Sequence, residues 1–192
     1  RSVSRGLGDV YKRQEITYLV EYPTAFYGEF NKDYVKLPKE VVTTPMKEHQ
    51  RYFPVSKYGK LLPYFIAVRN GDKHAIDIVK AGNEKVLEAR LADALFFYDE
   101  DIKKPLESFV ENLKTVVFQA KLGTVYDKTL RIEKLAQDIV ETLDEKEILN
   151  DTLRAAKLCK ADLVTNMVFE FTELQGVMGR EYAKVGGEND AV

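Results

Sequence analysis

The densest group of side chains able to do chemistry is Met46 to Phe53, MKEHQRYF, which puts His49, Gln50, Arg51 and two aromatic rings into one short stretch. Such a group can stack a nucleic-acid base and bond a phosphate. The competing reading is a helix-to-strand junction whose aromatics enter the core. Asn83, Glu84, Arg90 and Asp93 form a second polar group, with Asn83 read as the N-cap of a helix and the charges as solvated or ion-paired. Lys157, Lys160 and Asp162 interrupt an apolar run, either as buried functional charges or as the wet face of a helix. Cys159 has no histidine near it in sequence and reads as a small buried hydrophobe. One cysteine excludes an intrachain disulfide, a CxxC centre and a multi-cysteine zinc site. Two histidines, His49 and His74, leave little for histidine-based catalysis or metal binding. There is no P-loop, GxGxxG, GxSxG or HExxH. Gly176 and Gly179, in TELQGVMG, are too sparse for a phosphate cradle and read as tight packing or a turn. Local motifs alone name no reaction.

The 192 residues leave room for one domain with a real core or for two small ones. A composition of 45% hydrophobic and 31% charged residues is globular rather than disordered or fibrous. No apolar run approaches the roughly 18 residues of a membrane span. The formal charge of -2 does not advertise a polyanion partner. A reducing cytoplasm is the expected compartment.

Arg1 to Gln14, RSVSRGLGDVYKRQ, carries four basic residues and one acidic residue with no helical or strand period. Ser4 to Gln14 reads as a translated sequencing-library adapter. On that reading residues 1–14 are a disordered artefact, the natural protein is truncated upstream of about Glu15, and it continues beyond Val192. The remainder holds 25 Lys and Arg against 30 Asp and Glu.

These groups need elements to position them. Residues 16–30 predict a strand, a turn at Pro23 and a short second strand. Leu37-Pro38-Lys39-Glu40 opens a short helix, and Pro45 suggests a new helix start near Thr44. Arg51–Val55 and Leu62–Arg69, separated by SKYGK, predict a hairpin, with Asn70-Gly71 as a turn after it. From Asn83 to Tyr98 the apolar spacing turns helical, and a further helix is expected from Leu106 to Phe118. Val125 to Leu143 places Ile132, Leu135, Ala136, Ile139, Val140 and Leu143 on one stripe. Thr152 to Phe171, apolar all round, predicts the most buried helix. The fold class is α+β, a mixed α/β part over 15–115 and an all-helical part over 116–192.

Longer strings add more. LVEYPTAFYGEFNKDYVKLPKEVV, TTPMKEHQRYFPV, GKLLPYFIAVRNG, GNEKVLEARLADALFFYDED, TVVFQAKLGTVYDKTLRI and KADLVTNMVFEFTELQGVMGREYA follow in order. This run resembles the β subunit of the bacterial two-subunit glycyl-tRNA synthetase, over Glu15 to Glu188. The resemblance implies a central slice of β. The slice would cover part of a domain similar to the editing-type α/β domain of phenylalanyl synthetases, then the opening of a helical domain related to HD phosphohydrolases. It further implies a tRNA-binding, non-catalytic role in attaching glycine to tRNA(Gly), with the α subunit as partner and with no membrane or DNA. ATP and Mg belong to the α subunit, and no cofactor or metal is expected in this piece.

The residues expected to contact RNA are Lys47, His49, Gln50, Arg51, Arg69, Lys85 and Arg90. Active HD enzymes hold metal through spaced His and Asp ligands. AAKLCKADLV has no histidine, and none follows His74, so hydrolase activity does not carry over with the fold. Two alternatives stay open, a metal phosphohydrolase of HD type and a structural scaffold that docks the α subunit.

Overall fold

The computed structural model describes residues 7–192. The chain is α+β and divides at Leu95/Phe96 into two compact units. The division lies inside a continuous helix, whereas the expected boundary at 115/116 marks where composition turns helical. The first unit holds α1 (Leu7–Leu19), β1 (Pro23–Glu29), α2 (Lys39–Thr44), β2 (Phe53–Lys57), β3 (Lys60–Asn70) and most of α3 (Ile76–Asp101). Its strands form an antiparallel sheet in the order β1-β3-β2. Tyr58 and Gly59, both with positive φ (52° and 81°), close the β2–β3 hairpin in the sense that matches strand twist.

Period-two alternation gives the sheet one buried face. Thr24, Leu61, Phe65 and Ala67 point into it, while Tyr27, Tyr64 and Ile66 stay on the exposed side. Phe65 is fully buried and stacks on Tyr52 with ring centroids 4.5 Å apart. Gly28 pairs with Phe65 across the strands because the ring occupies the space of its missing side chain: a Cβ there would lie 2.2 Å from Phe65 Cζ. Val41, Val42, Met46, Leu87, Leu91 and Ala94 complete the core. At the end of β1, α3 supplies two acceptors: Glu84 accepts from Glu29 N (2.8 Å) and Glu88 from Asn31 N, just past the strand (3.3 Å). The other edge strand, β2, carries Pro54 and a register shift between Pro54 and Ser56.

The second unit is mainly helical. A 3-10 segment (Leu106–Thr115) is followed by a short β4–β5 pair (Val117–Gln119 and Gly123–Thr124), then by α4 (Val125–Thr142), α5 (Leu149–Leu158), a 3-10 turn (Ala161–Val164), α6 (Asn166–Glu170) and α7 (Val177–Val185). A capping box of Thr124 and Asp127 starts α4. Its centre is Asp101, 1% exposed, at the end of α3. This carboxylate accepts from Asn166 N (3.0 Å), Asn166 Nδ2 (2.8 Å), Met167 N (2.9 Å) and Tyr182 Oη (2.9 Å). Burial, reinforced by Asp101, pushes the Tyr182 phenol well above its ordinary range. A second buried carboxylate, Asp162, accepts from Gly176 N (2.5 Å). Gly179 passes so close that a Cβ there would sit 3.3 Å from Asp162.

Several expectations need correction. Leu7–Leu19 is a helix, because no glycine or proline interrupts it after Gly8; residues 7–14 therefore carry regular structure, and the strand expected from residue 16 is helical to Leu19. Residues 1–6 and the Val10 side chain lie outside the described part, and Tyr11 is exposed. Pro23 opens β1 instead of breaking a strand, a position that needs no N–H. α3 starts at Ile76, so Asn83 is mid-helix and not an N-cap. The segment 152–171 is not one helix: Thr165 begins a new one, its hydroxyl accepting from Val168 N. Cys159 is exposed. On α4 only Val125, Thr129 and Val140 are buried, while Leu135, Ile139 and Leu143 are at least half exposed.

We expect Gly28→Ala to cost about 1–3 kcal/mol, the usual penalty for overpacking, with urea denaturation as the measurement. A second prediction concerns acid. Lys157 and Arg154 hydrogen-bond Glu107 (2.5 and 2.9 Å), holding its carboxyl below the usual carboxylate range, and Arg154 does the same to Glu188. A depressed native pKa stabilises above the unfolded-state value, and the contribution is lost as pH falls through the native one. In Arg154→Gln these carboxylates titrate closer to their unfolded values, so urea denaturation should find stability lowered near neutral pH and falling less steeply on acidification.

Candidate functional site

α2 does not stop at Pro45. It runs into a π-helical turn, Pro45–His49, closed by Gln50 N donating to Pro45 O (3.1 Å). Arg51 then takes a left-handed conformation, φ 57°, and Tyr52 N donates to Met46 O (2.7 Å) as the chain enters β2. The MKEHQRYF stretch is thus a helix-to-strand junction, and Tyr52 enters the core, 4% exposed. The junction reading therefore holds for the backbone and for Tyr52, while Gln50 and Arg51 of the same stretch line a cavity.

Gln50, Arg51 and Arg69 line one cavity of about 260 Å³, together with Tyr52 and Asn83. Arg69 reaches it from β3 and donates from Nη1 to His74 O (2.8 Å). Arg51 pairs with Glu15 through Nε (2.6 Å), both side chains being well exposed. Tyr52 Oη donates to Asn83 Oδ1, and Asn83 Nδ2 donates in turn to Val79 O (2.7 Å). Burial pushes the Tyr52 phenol up to about 12, so it is a neutral donor at any physiological pH. Among the described residues that line this cavity there are two guanidinium groups and no carboxylate, and Glu15 pairs with Arg51 beside it. It can hold an anion beside an amide and a hydrogen-bonded phenol.

The other expected contacts are placed elsewhere. Lys47 lines a neighbouring, larger cavity, and His49 is half-buried in the π turn. Lys85 is exposed and Arg90 half-buried on α3, and neither lines the arginine cavity. The sequence reading missed Tyr52 and Asn83 as a bonded pair, since 31 residues separate them and no local pattern links them. Among the described residues, no three His, Cys, Asp or Glu side chains come together as they would around a metal ion. No helix among them is long and apolar enough to cross a membrane.

Comparison with known proteins decides the kinship. Residues 11–192 match the model of the glycyl-tRNA synthetase beta subunit. The chain belongs to that family. It is 75% identical over 179 residues to the glycine–tRNA ligase beta subunit of Clostridioides difficile, covering 93% of this chain and 26% of that protein. The beta subunit of Desulfitobacterium hafniense strain Y51 is 55% identical over 191 residues, covering 96% of this chain and 28% of the relative. That of Bacillus subtilis is 51% identical over 180 residues, covering 93% and 26%. The chain thus spans about a quarter of the length of these relatives. The match takes in Tyr11 to Gln14, four residues upstream of where the resemblance was expected to begin.

Tyr52→Phe removes the donor to a part-buried Asn83 and should cost about 1 kcal/mol in urea denaturation. Asn83→Ala on the Phe background should then add less than it does alone, the signature of a shared bond.

Proposed function

We propose that this chain is a tRNA-handling, non-catalytic portion of a glycine–tRNA ligase β subunit. It supports ATP-dependent attachment of glycine to tRNA(Gly) in the cytoplasm together with an α subunit. The observation that carries the reading is the family match across nearly the whole chain. The gathering of Gln50, Arg51 and Arg69 at one cavity supports it. Aminoacyl transfer needs the acceptor end of tRNA held against the activated amino acid, so a β body contributes positioning and the bond chemistry lies with α. ATP and Mg are assigned to α on the same reasoning. Lys47, His49, Lys85 and Arg90 remain proposed contacts on an outer path of the RNA backbone.

A second reading has its own support. Leu135, Ile139 and Leu143 leave an apolar stripe of α4 open to solvent, which suits a scaffold that docks another protein surface. The HD-type hydrolase has no comparable support.

Charge-neutralising substitutions test the first reading. Arg51→Gln and Arg69→Gln, placed in the β subunit that carries this piece, should each weaken tRNA binding with little regard to base sequence. Each should also flatten the dependence of log affinity on log salt by about one. Unchanged affinity and slope would remove both residues from the interface. The isolated chain should show no glycine-dependent ATP–pyrophosphate exchange above an inactive-protein control, and exchange above that level would overturn the non-catalytic assignment.

A further inference from the structure

Most cations of the second unit are spent on carboxylates. Lys134 pairs with Asp138, Lys146 with Asp144 and Lys114 with Glu111, while Arg154 and Lys157 share Glu107. Lys121, Lys128, Arg131 and Lys160 are different: among the described residues none of them has a carboxylate within ion-pair distance. Lys121 and Arg131 are exposed, and Lys128 and Lys160 are half-buried.

The fold gathers these four. The β4–β5 hairpin lies on the start of α4, held by Val125 N donating to Val116 O (2.8 Å) and Arg131 Nη1 donating to Leu122 O (3.0 Å). Gln119 Oε1 accepts from Lys121 N (2.6 Å) and Leu122 N (3.0 Å), so Lys121 is carried by a fastened turn beside Arg131. Lys128 stands one helical turn before Arg131, its Nζ 4.0 Å from the centre of the Phe118 ring. α5 packs on α4 and brings Lys160 to the same side. Burial pushes the Cys159 thiol up, while Lys160 and, more weakly, Lys128 draw it down, so both ammonium groups lie close to that sulfur. Two carboxylates also act here, Asp127 on Arg131 and Asp162 on Cys159. Each is already engaged, Asp127 by Thr124 N and Oγ1 (2.7 and 2.8 Å) and Asp162 by Gly176 N (2.5 Å).

A ring and a carbonyl hold Lys128 and Arg131 in place without cancelling their charge, as an ion pair would. Cations fixed beforehand lose less freedom when an anion arrives. Spread over a hairpin, two turns of α4 and the end of α5, they suit a ligand whose negative charges repeat along a chain. A phosphate backbone has that form, and a lysine meets it as a point charge that reads no base.

We propose that this face of the second unit seats the phosphate backbone of tRNA on Lys121, Lys128, Arg131 and Lys160, without regard to base sequence. The proposal rests on the tRNA-handling reading and extends it to the second unit. None of these residues was among the contacts expected from sequence.

The test acetylates the lysines of the unaltered 192-residue chain, with and without a tRNA(Gly) transcript, and locates the modified sites by mass spectrometry. tRNA should protect Lys121, Lys128 and Lys160 several-fold and leave the paired Lys134 and Lys146 labelled as before. This readout does not depend on whether a variant folds. Lys128→Gln and Arg131→Gln should each weaken tRNA binding several-fold and lower the slope of log affinity against log salt by about one, while Lys134→Gln on the same helix changes neither. Unchanged labelling of the three lysines, or equal protection of Lys134 and Lys146, would overturn the proposal. Unchanged affinity and slope in both Lys128→Gln and Arg131→Gln would overturn it as well. Protection by a purified α subunit in place of tRNA would also overturn it and make the face a protein-docking surface. If Arg51→Gln and Arg69→Gln lower tRNA affinity while the three lysines stay labelled, this seat falls and the tRNA reading stands. Absence of any tRNA binding would count against both.

Discussion

Asp101 is the group on which the helical unit turns. A carboxylate with 1% exposure survives in a core only if its lone pairs are filled, and here four donors from two segments fill them. Two come from Asn166 and one from Met167, at the start of α6, and one is the Tyr182 hydroxyl on α7. Because the donors are fixed in space, the carboxylate sets where α6 and α7 sit against the end of α3. Asp162 repeats the device on a smaller scale, receiving the Gly176 N–H at the entry to α7, while Gly179 allows the helix to approach it. The two acids face inward and are consumed by structure. Placing them on a catalytic ledger would ignore where their lone pairs already point.

The first unit is organised by shape instead. Phe65 needs the volume that Gly28 leaves, and its ring then stacks on Tyr52. Tyr52 in turn orients the junction between the π turn and β2, with its hydroxyl anchored on Asn83 of α3. Arg51, immediately before it, is left-handed and turned outward, while Arg69 stands on the neighbouring strand. The same unit thereby brings to one cavity two arginines that no sequence proximity connects.

This explains what was legible beforehand. The β2–β3 hairpin, the Asn70-Gly71 turn and the helices carrying Leu87, Leu91 and Val140 follow from local chemistry and period, and they are present. The helical start of α3 was placed seven residues late because Asn83 looks like a cap, whereas its side chain serves Tyr52 across the unit. The break inside 152–171 was signalled by Thr165, but an apolar run on both sides concealed it. Asp101 was not singled out at all. A lone acid at a helix end has no periodic signature, and its importance arises from donors 65 to 81 residues away. The arginine cavity was legible in part: Gln50 and Arg51 were named from one cluster and Arg69 from a strand, but only the fold brings them together.

The sheet has a further property that bears on how any polymer can approach it. An exposed strand edge is a template on which a foreign backbone can add itself. Here the carboxylates of Glu84 and Glu88 already occupy outward amides at the end of β1, and β2 presents a proline and an irregular register. Neither border is left as a clean ladder. A chain sliding alongside would meet an interruption at the end of β1 and an irregular register on β2. The same closure leaves side chains as the means of discrimination: whatever rests on this unit must be read by charge, ring and hydroxyl, one residue at a time.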